Sequence, residues 1–336
     1  MRPSISVVIL NWNGLAHVGA CLSSLRAQTF RDFETILVDN GSRDGSVDFV
    51  RENFSEVRVV ALEENRGFAG GVNAGLAQAR GEFVALLNND TEADAEWLAA
   101  LRRATLERGE FGMWASRVVL FDRPEVLDSA GDGLTTTGAP FKRGHMRSSG
   151  EFGRGCEVFG PSGAAALYRR DVIEDAGGFD EDFFLVHEDV DLALRARLRG
   201  HRCWYVADAV VRHKVNASIG RMSRGYVFYG HRNVEYLFWK DLPLPVLLRC
   251  LPEHCLFGLL SLGYFALKGR GLTFLRAKGA ALVGLPRVWR KRRAVQARRV
   301  VNADFLLRQM ERRWLGEKLR GARRHGGFGR RAVQSE

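Results

Sequence analysis

Two short stretches carry the side chains that chemistry would need. The first is Phe83-Val84-Ala85-Leu86-Leu87 running into Asn88-Asn89-Asp90, a buried-strand pattern that ends in three oxygen-bearing side chains. Hard divalent cations such as Mg²⁺ or Mn²⁺ take carboxylate and carbonyl oxygens and leave positions for substrate phosphates. Asp90, beside Asn88 and Asn89, is therefore a candidate site for a metal on a diphosphate. The second stretch is His187-Glu188-Asp189-Val190-Asp191. Its acids repel one another, which raises the pKa of at least one unless cations intervene. A carboxylate held near neutral pH can serve as a general base. The plainer reading is an acidic first turn of a helix, where acids are favourable. His213 is a candidate further metal ligand, set against an ordinary structural role. The histidines are otherwise sparse and unclustered, unlike a zinc cage.

The elements that must position these residues follow from periodicity. Ile5–Leu10, Phe33–Val38, Val57–Leu62 and Glu82–Leu87 are apolar runs of strand length. Between them Leu15–Gln28 repeats its apolar residues at helical spacing, Ser46–Asn53 reads as a short helix, and Gly67–Arg80 as a helix of small residues. Strands alternating with helices predict an α/β fold with a mainly parallel central sheet. Ligands of such sheets sit beyond the carboxyl ends of the strands, where the strand order reverses. Strand one ends at Asn11-Trp12-Asn13-Gly14, strand two at Asp39-Asn40-Gly41-Ser42, and strand four at Asn88-Asn89-Asp90. Short polar side chains also make turns and helix caps, but three such ends on one rim favour a binding site.

Further on the pattern weakens. Residues 111–160 are Gly-rich and irregular, with weak strands near Met113–Phe121. Residues 156–168 read as a strand, a Gly-Pro-Ser-Gly turn and a small-residue run. A helix is expected from about Glu188 to Gly200, then two short strands, Cys203–Val206 and Val210–His213. Residues 242–267 are apolar but interrupted by three prolines, Arg249, Glu253 and His254. The uncharged run Cys255–Leu267 is shorter than a membrane span needs. It suits either a helix in the membrane interface or a helical cap on the domain.

Composition bounds the rest. The chain has 336 residues, 46% hydrophobic and 26% charged, as in a globular protein with a sizeable core. Five cysteines without a C-x-x-C pair fit a reducing compartment. Met1-Arg2-Pro3 leads straight into the first strand, so the cytoplasm is expected and the sequons at Asn53, Asn89 and Asn216 carry no weight. Residues 268–336 hold 20 Lys/Arg against 4 Asp/Glu, whereas the remaining 267 hold 30 against 35. A basic tail on a mildly acidic body seeks an anionic surface, nucleic acid or lipid. Nucleic acid would leave the acidic rim unexplained. The glycines of Gly67–Gly75 have the wrong spacing for a dinucleotide fingerprint, and there is no G-x-x-x-x-G-K-[ST] loop.

SVVILNWNG (6–14), ETILVDNGSRDGS (34–46), ENRGFAGGVNAGL (64–76) and FVALLNNDT (83–91), continued by GPSGAAALYRRDVIEDAGGFDE (160–181) and FLVHEDVDLALRARLRG (184–200), resemble glycosyltransferase family 2, inverting enzymes of the GT-A fold. The resemblance spans roughly residues 4–240, and the Asn-Asn-Asp form is most similar to rhamnosyltransferases. It implies a Rossmann-like nucleotide-diphospho-sugar transferase with a catalytic region over 1–240, whose nucleotide-sugar-binding half is about 1–110 and acceptor-binding half about 111–240. A helical, basic, membrane-associating extension over 241–325 and a disordered tail over 326–336 would follow. By the same resemblance Asp39 binds the base of a dTDP- or UDP-sugar, with Asn11, Asn13, Asn40 and Ser42 beside it. Asn65, Gly67, Phe68 and Asn73 shape the donor pocket. Asp90 stands for the last Asp of the family's Asp-x-Asp motif and would hold the metal, Asn88 replacing the first. Asp189 would be the base, with Glu188 and Asp191 as lesser candidates. The acceptor implied is a glycan or polyprenyl-linked glycan, the location the inner face of the cell membrane. A homo-oligomer is compatible with all of this.

Overall fold

The structure, a computed structural model, describes residues 2–215 and 223–316. The sequon at Asn216 and the tail 326–336 lie outside the described residues. The first half alternates as the periodicity requires: β1 (Ile5–Asn11), α1 (Leu15–Arg26), β2 (Phe33–Asp39), α2 (Ser46–Asn53), β3 (Arg58–Ala61), α3 (Gly67–Gln78) and β4 (Phe83–Asn88). Next come the short β5 (Thr91–Ala93), α4 (Trp97–Glu107), β6 (Met113–Leu120), β7 (Arg123–Ser129) and a small hairpin of β8 (Asp132–Leu134) and β9 (Pro140–Lys142). β10 (Cys156–Val158), β11 (Ala165–Arg169), α5 (Arg170–Ala176), α6 (Glu188–Leu198) and β12 (Cys203–His213) complete the body. Four helices follow: α7 (Arg224–Tyr236), α8 (Leu244–Leu267), α9 (Gly271–Ala297) and α10 (Ala303–Gln309).

One sheet runs in the order β10-β12-β6-β11-β4-β1-β2-β3, with β5 on β12 and β7 on β6. β12, β6, β4, β1, β2 and β3 point the same way, and β10 and β11 run against them. β1 leads to β2 on one side and pairs with β4 on the other, so strand order reverses at β1. A crevice opens beyond Asn11 and Asn88 for that reason. The central strands are apolar on both faces because helices cover both. Ile5, Val7 and Ile9 belong to one core with α1 and α4, and Val8, Ile36 and Val38 to another with α3 and α6.

Two expectations are revised. Cys203–His213 is one strand, because Val206 and Val210 stay in register with β6 across a bulge that takes up Ala207-Asp208-Ala209. α8 is one continuous helix through Pro252. It is long and apolar enough to cross a membrane by length and composition, the one such helix among the described residues. Val246, Leu247, Cys250 and Phe257 nevertheless pack it onto the body, while Leu256, Leu259, Leu260 and Leu267 stay exposed. It is thus a cap along one face and an open apolar surface along the other. β5 has no periodic signal of its own. Its pairing, His213 opposite Thr91, sets His213 beside Asp90.

Candidate functional site

A cleft of about 1260 Å³ opens at the strand ends. Asn40, Asn65, Gly67, Phe68, Asn88, Asn89 and Asp90 line it from the first half, Glu188, Asp189 and His213 from the second. Asn11 serves as the joint beneath its floor. Fully buried, it donates to Asp39 Oδ1 (3.0 Å) and Ser46 Oγ (2.8 Å) and accepts from Asn89 Nδ2 (2.8 Å), tying three strand ends together. Asp39 Oδ2 accepts from the Ser42 backbone (2.9 Å). Asn13, at φ 48°, locks against the second loop: its backbone donates to Ser42 Oγ (2.8 Å), and its side chain accepts from the Arg43 backbone (2.9 Å). Asn11, Asn13, Asp39 and Ser42 therefore shape the rim from behind the lining residues.

The same economy holds one loop further. Asn40 donates to Asn65 Oδ1 and the Gly67 carbonyl, both at 3.0 Å, and Asn65 Oδ1 accepts from the Gly67 backbone at 2.8 Å. Gly67 has φ 72°, and a Cβ there would lie 2.3 Å from the Phe184 carbonyl. Glycine is required for residues 183–187 to close over the loop, where the Phe184 carbonyl accepts from the Phe68 backbone. Asn73 lies outside the cleft, its amide bridging to Phe179 (2.9 Å) and Glu181 (3.1 Å).

On the opposite side Asp90 Oδ1 lies 3.3 Å from His213 Nε2, and His213 Nδ1 lies 2.9 Å from Asp128 Oδ2. Lys142 Nζ reaches Asp128 at 2.7 Å, and His145 Nδ1 meets the Asp128 carbonyl at 2.9 Å. Burial works to raise the Asp90 carboxyl, but His213 carries it below its usual range. Burial likewise opposes ionisation of Asp128, yet Lys142, His145 and His213 hold it well below. His213 is lowered by burial and raised overall by bonds from Asp128 and Asp90. Neighbouring ligands of one octahedral cation with bonds near 2.1 Å stand about 3 Å apart, so the Asp90–His213 pair fits such an ion. Asp128 is then the carboxylate that orients a ligating histidine from behind. Among the described residues no three His, Cys, Asp or Glu side chains gather as a complete cage. The pair fits an ion that also relies on substrate oxygens.

The acids of α6 separate by environment. Asp189 is half-buried; its Oδ2 accepts from the Gly163 backbone and its Oδ1 from the Val190 backbone, both at 2.8 Å. Burial raises its pKa, and those two N–H groups oppose the rise. Glu188 is buried with Oε2 unpartnered, and burial, then Asp189, pushes it well above the usual range. Asp132, buried on the same wall, is pushed well above by burial and then by Asp189. Burial thus drives its two neighbours towards the neutral form, Asp132 despite a bond from the Ser129 hydroxyl (2.9 Å), while Asp189 has a backbone N–H aimed at each of its oxygens. Asp191 is not brought to the cleft. It is fully buried, bonded to Arg195 Nε (2.9 Å) and to Lys240, because two residues further along turn it to the other side of the helix.

The sequence reading missed Asp128, Asp132, Lys142 and His145, which come from the irregular region 111–160. It also missed Phe184, Tyr226 and Tyr229, which face the cleft from the other wall. The α6 entry is tightly held: Phe184, Val186 and His187 all have positive φ, and the buried Asn233 donates to the carbonyls of Phe183, Leu185 and Val186 at 2.8 Å each.

The central sheet with its reversal point at β1 has the GT-A fold. The mannosyltransferase PcManGT of Pyrobaculum calidifontis, solved with GDP-Man and Mn²⁺, matches at TM-score 0.52 and 21% identity, over 89% of this chain and 86% of that one. Residues 6–177 match the profile described as "Glycosyl transferase family 2", and the chain belongs to that family. It is 28% identical over 253 residues to the amylovoran biosynthesis glycosyltransferase AmsB of Erwinia amylovora, covering 73% of this chain and 79% of that one. It is 26% identical over 263 residues to the N-acetylglucosaminyl-diphospho-decaprenol L-rhamnosyltransferase of Mycobacterium tuberculosis, covering 72% and 85%.

Proposed function

We infer that the chain is an inverting hexosyltransferase that moves a sugar from a nucleoside-diphosphate donor to a hydroxyl of a glycan or polyprenyl-linked glycan, in cell-surface polysaccharide synthesis. The observation that carries this reading is Asp189, held by two backbone N–H groups between carboxyls that burial drives neutral, with Asp90 and His213 in the same cleft. The acceptor oxygen bonds to the sugar C1 from one face, its proton passes to Asp189, and the C1–oxygen bond to the diphosphate breaks with its electron pair going to the phosphate. A single displacement inverts C1. Asp90 and His213 would hold Mg²⁺ or Mn²⁺, which when bound neutralises charge on the leaving diphosphate. The loops that Asp39 anchors from behind, with Asn40 on the cleft wall, would receive the base, and Asn65, Gly67 and Phe68 the sugar-diphosphate.

dTDP-L-rhamnose is the favoured donor, supported by the name of the mycobacterial relative. UDP-hexoses, UDP-GlcNAc and UDP-galactofuranose come behind it. A scaffold without activity is the alternative, and the placement of both Asp90 and Asp189 on the cleft wall weighs against it. The exposed leucines of α8 and the basic residues after it support work at the inner face of an anionic membrane. Incubating the protein with each donor, Mn²⁺ and an N-acetylglucosaminyl-diphospho-polyprenol tests the reading by NMR of the product. One donor should give a product of inverted anomeric configuration. A product of retained configuration from any donor would overturn it.

A further inference from the structure

The α8–α9 hairpin bears ten Lys/Arg and one acid between residues 244 and 297. Its open surface combines leucines, among them Leu259, Leu260, Leu267, Leu275 and Leu282, with exposed cations such as Lys268 and Arg276. Apolar side chains rimmed by cations suit the surface of an anionic bilayer. Nucleic acid would use the cations and leave the leucines in water.

α9 has two differently employed halves. The first, to about residue 285, carries the exposed Leu272, Leu275, Leu282 and Val283. Pro286 lies inside the helix there and removes one of its hydrogen bonds, because it lacks the N–H that would bond the Leu282 carbonyl. The second half grips the base of the catalytic segment. Arg287 lies 3.0 Å from Asp182, and Lys291 bonds Asp182 at 2.7 Å and also Asp180. Buried Arg292 donates to the carbonyls of Trp239 (2.9 Å) and Leu242 (2.7 Å), beside Lys240, which clamps Asp180 (2.6 Å) and Asp191. Asp180 in turn caps the turn Glu181–Phe183. Directly after that turn come the positive-φ residues Phe184, Val186 and His187, and then Glu188 and Asp189. Residues that favour other backbone conformations are thus held in place from α7 on one side and α9 on the other.

We propose that docking of the α8–α9 hairpin on an anionic lipid surface is transmitted through Arg287 and Lys291 to the segment 180–189, so that the lipid surface sets the order of the catalytic segment. This rests on the membrane-surface reading above. Docking fixes the first half of α9, and the second half then holds Asp180 and Asp182 without the swing that Pro286 permits in solution.

The test compares the whole protein with vesicles rich in phosphatidylglycerol, with pure phosphatidylcholine vesicles and alone. Flotation reports docking, and amide hydrogen exchange of residues 180–189 reports the segment. The phosphatidylglycerol vesicles should float the wild type and slow exchange in the segment by at least about fivefold, the low end of measured site-to-site couplings. The double variant Arg287→Ala/Lys291→Ala should still float with its segment unchanged by vesicles. Leu260→Glu, at an exposed position, should lose flotation and the slowing together. Flotation of the wild type without slowed exchange would overturn the coupling and leave docking standing. Equal slowing in the double variant would overturn the route through α9. Failure to float on either vesicle would overturn docking and the coupling with it.

Discussion

Asn233→Ala removes a side chain that no bound substrate need touch, yet it should disable the cleft. The Asn233 amide is fully buried and offers two hydrogens to three carbonyls, those of Phe183, Leu185 and Val186. Its carbonyl oxygen accepts from Arg232 Nε at 3.0 Å. Two lost bonds with buried acceptors left behind cost about 1–1.5 kcal/mol each, and the segment they secure already holds Phe184, Val186 and His187 at positive φ. A loss of about 2–3 kcal/mol follows, equivalent to a fall in Tm of roughly 3–4 °C for a chain of this size. Glu188 and Asp189 continue that segment, so turnover should fall by more than the unfolded fraction explains at an assay temperature well below Tm. Calorimetric melting, with turnover on folded protein, checks both. A melting curve within about 1 °C of wild type, with unchanged turnover, would refute the claim that these bonds hold the segment.

Asp189→Asn should keep donor affinity and lower kcat by about 10²- to 10⁴-fold, the range for a general base; kinetics and calorimetry separate the two. Burial raises the Asp189 pKa, so the wild-type rate should climb with pH through a limb above the usual carboxylate range, as the base loses its proton. Asp90→Ala and His213→Ala should each weaken donor binding in Mn²⁺, and chelation should bring the wild type to their level. Glu235 predicts acid sensitivity: burial works to raise it, but His254 (3.1 Å) and Lys278 hold it down to about 2. A depressed carboxyl contributes stability above its unfolded pKa and loses it as pH falls through the folded value. Wild-type Tm should therefore drop between about pH 4.5 and 2, and Glu235→Gln should start lower at neutral pH and fall less steeply.

How far these residues could be read in advance depended on local pattern. β1, β2 and β4 and the helices between them declare themselves because each apolar run is largely buried and ends in polar side chains at one rim, as Asn11, Asp39 and Asn88 do. The side of the cleft built from the first half of the chain was legible for that reason. Asp128, Asp132 and Lys142 were not, since β7, β8 and β9 are short or irregular hairpin strands, and Asp128 meets His213 only because β6, the partner of β7, also pairs with the distant β12. Asp189 and Asp191 look alike in sequence. What separates them is the turn of the helix and a lysine in a distant π-helical stretch, Lys240, which claims Asp191. Asn11 and Asn73 read as ligand contacts, but their bonds are spent within the protein.

The most direct measurement is titration calorimetry of dTDP, UDP and GDP, each with and without Mn²⁺, against wild type, Asp90→Ala and Asp189→Asn. One thymidine or uridine nucleotide should bind wild type and Asp189→Asn equally in Mn²⁺, with binding lost in Asp90→Ala. No binding of any nucleotide by folded wild type, or binding untouched in Asp90→Ala, would contradict the assignment of this cleft as the donor site.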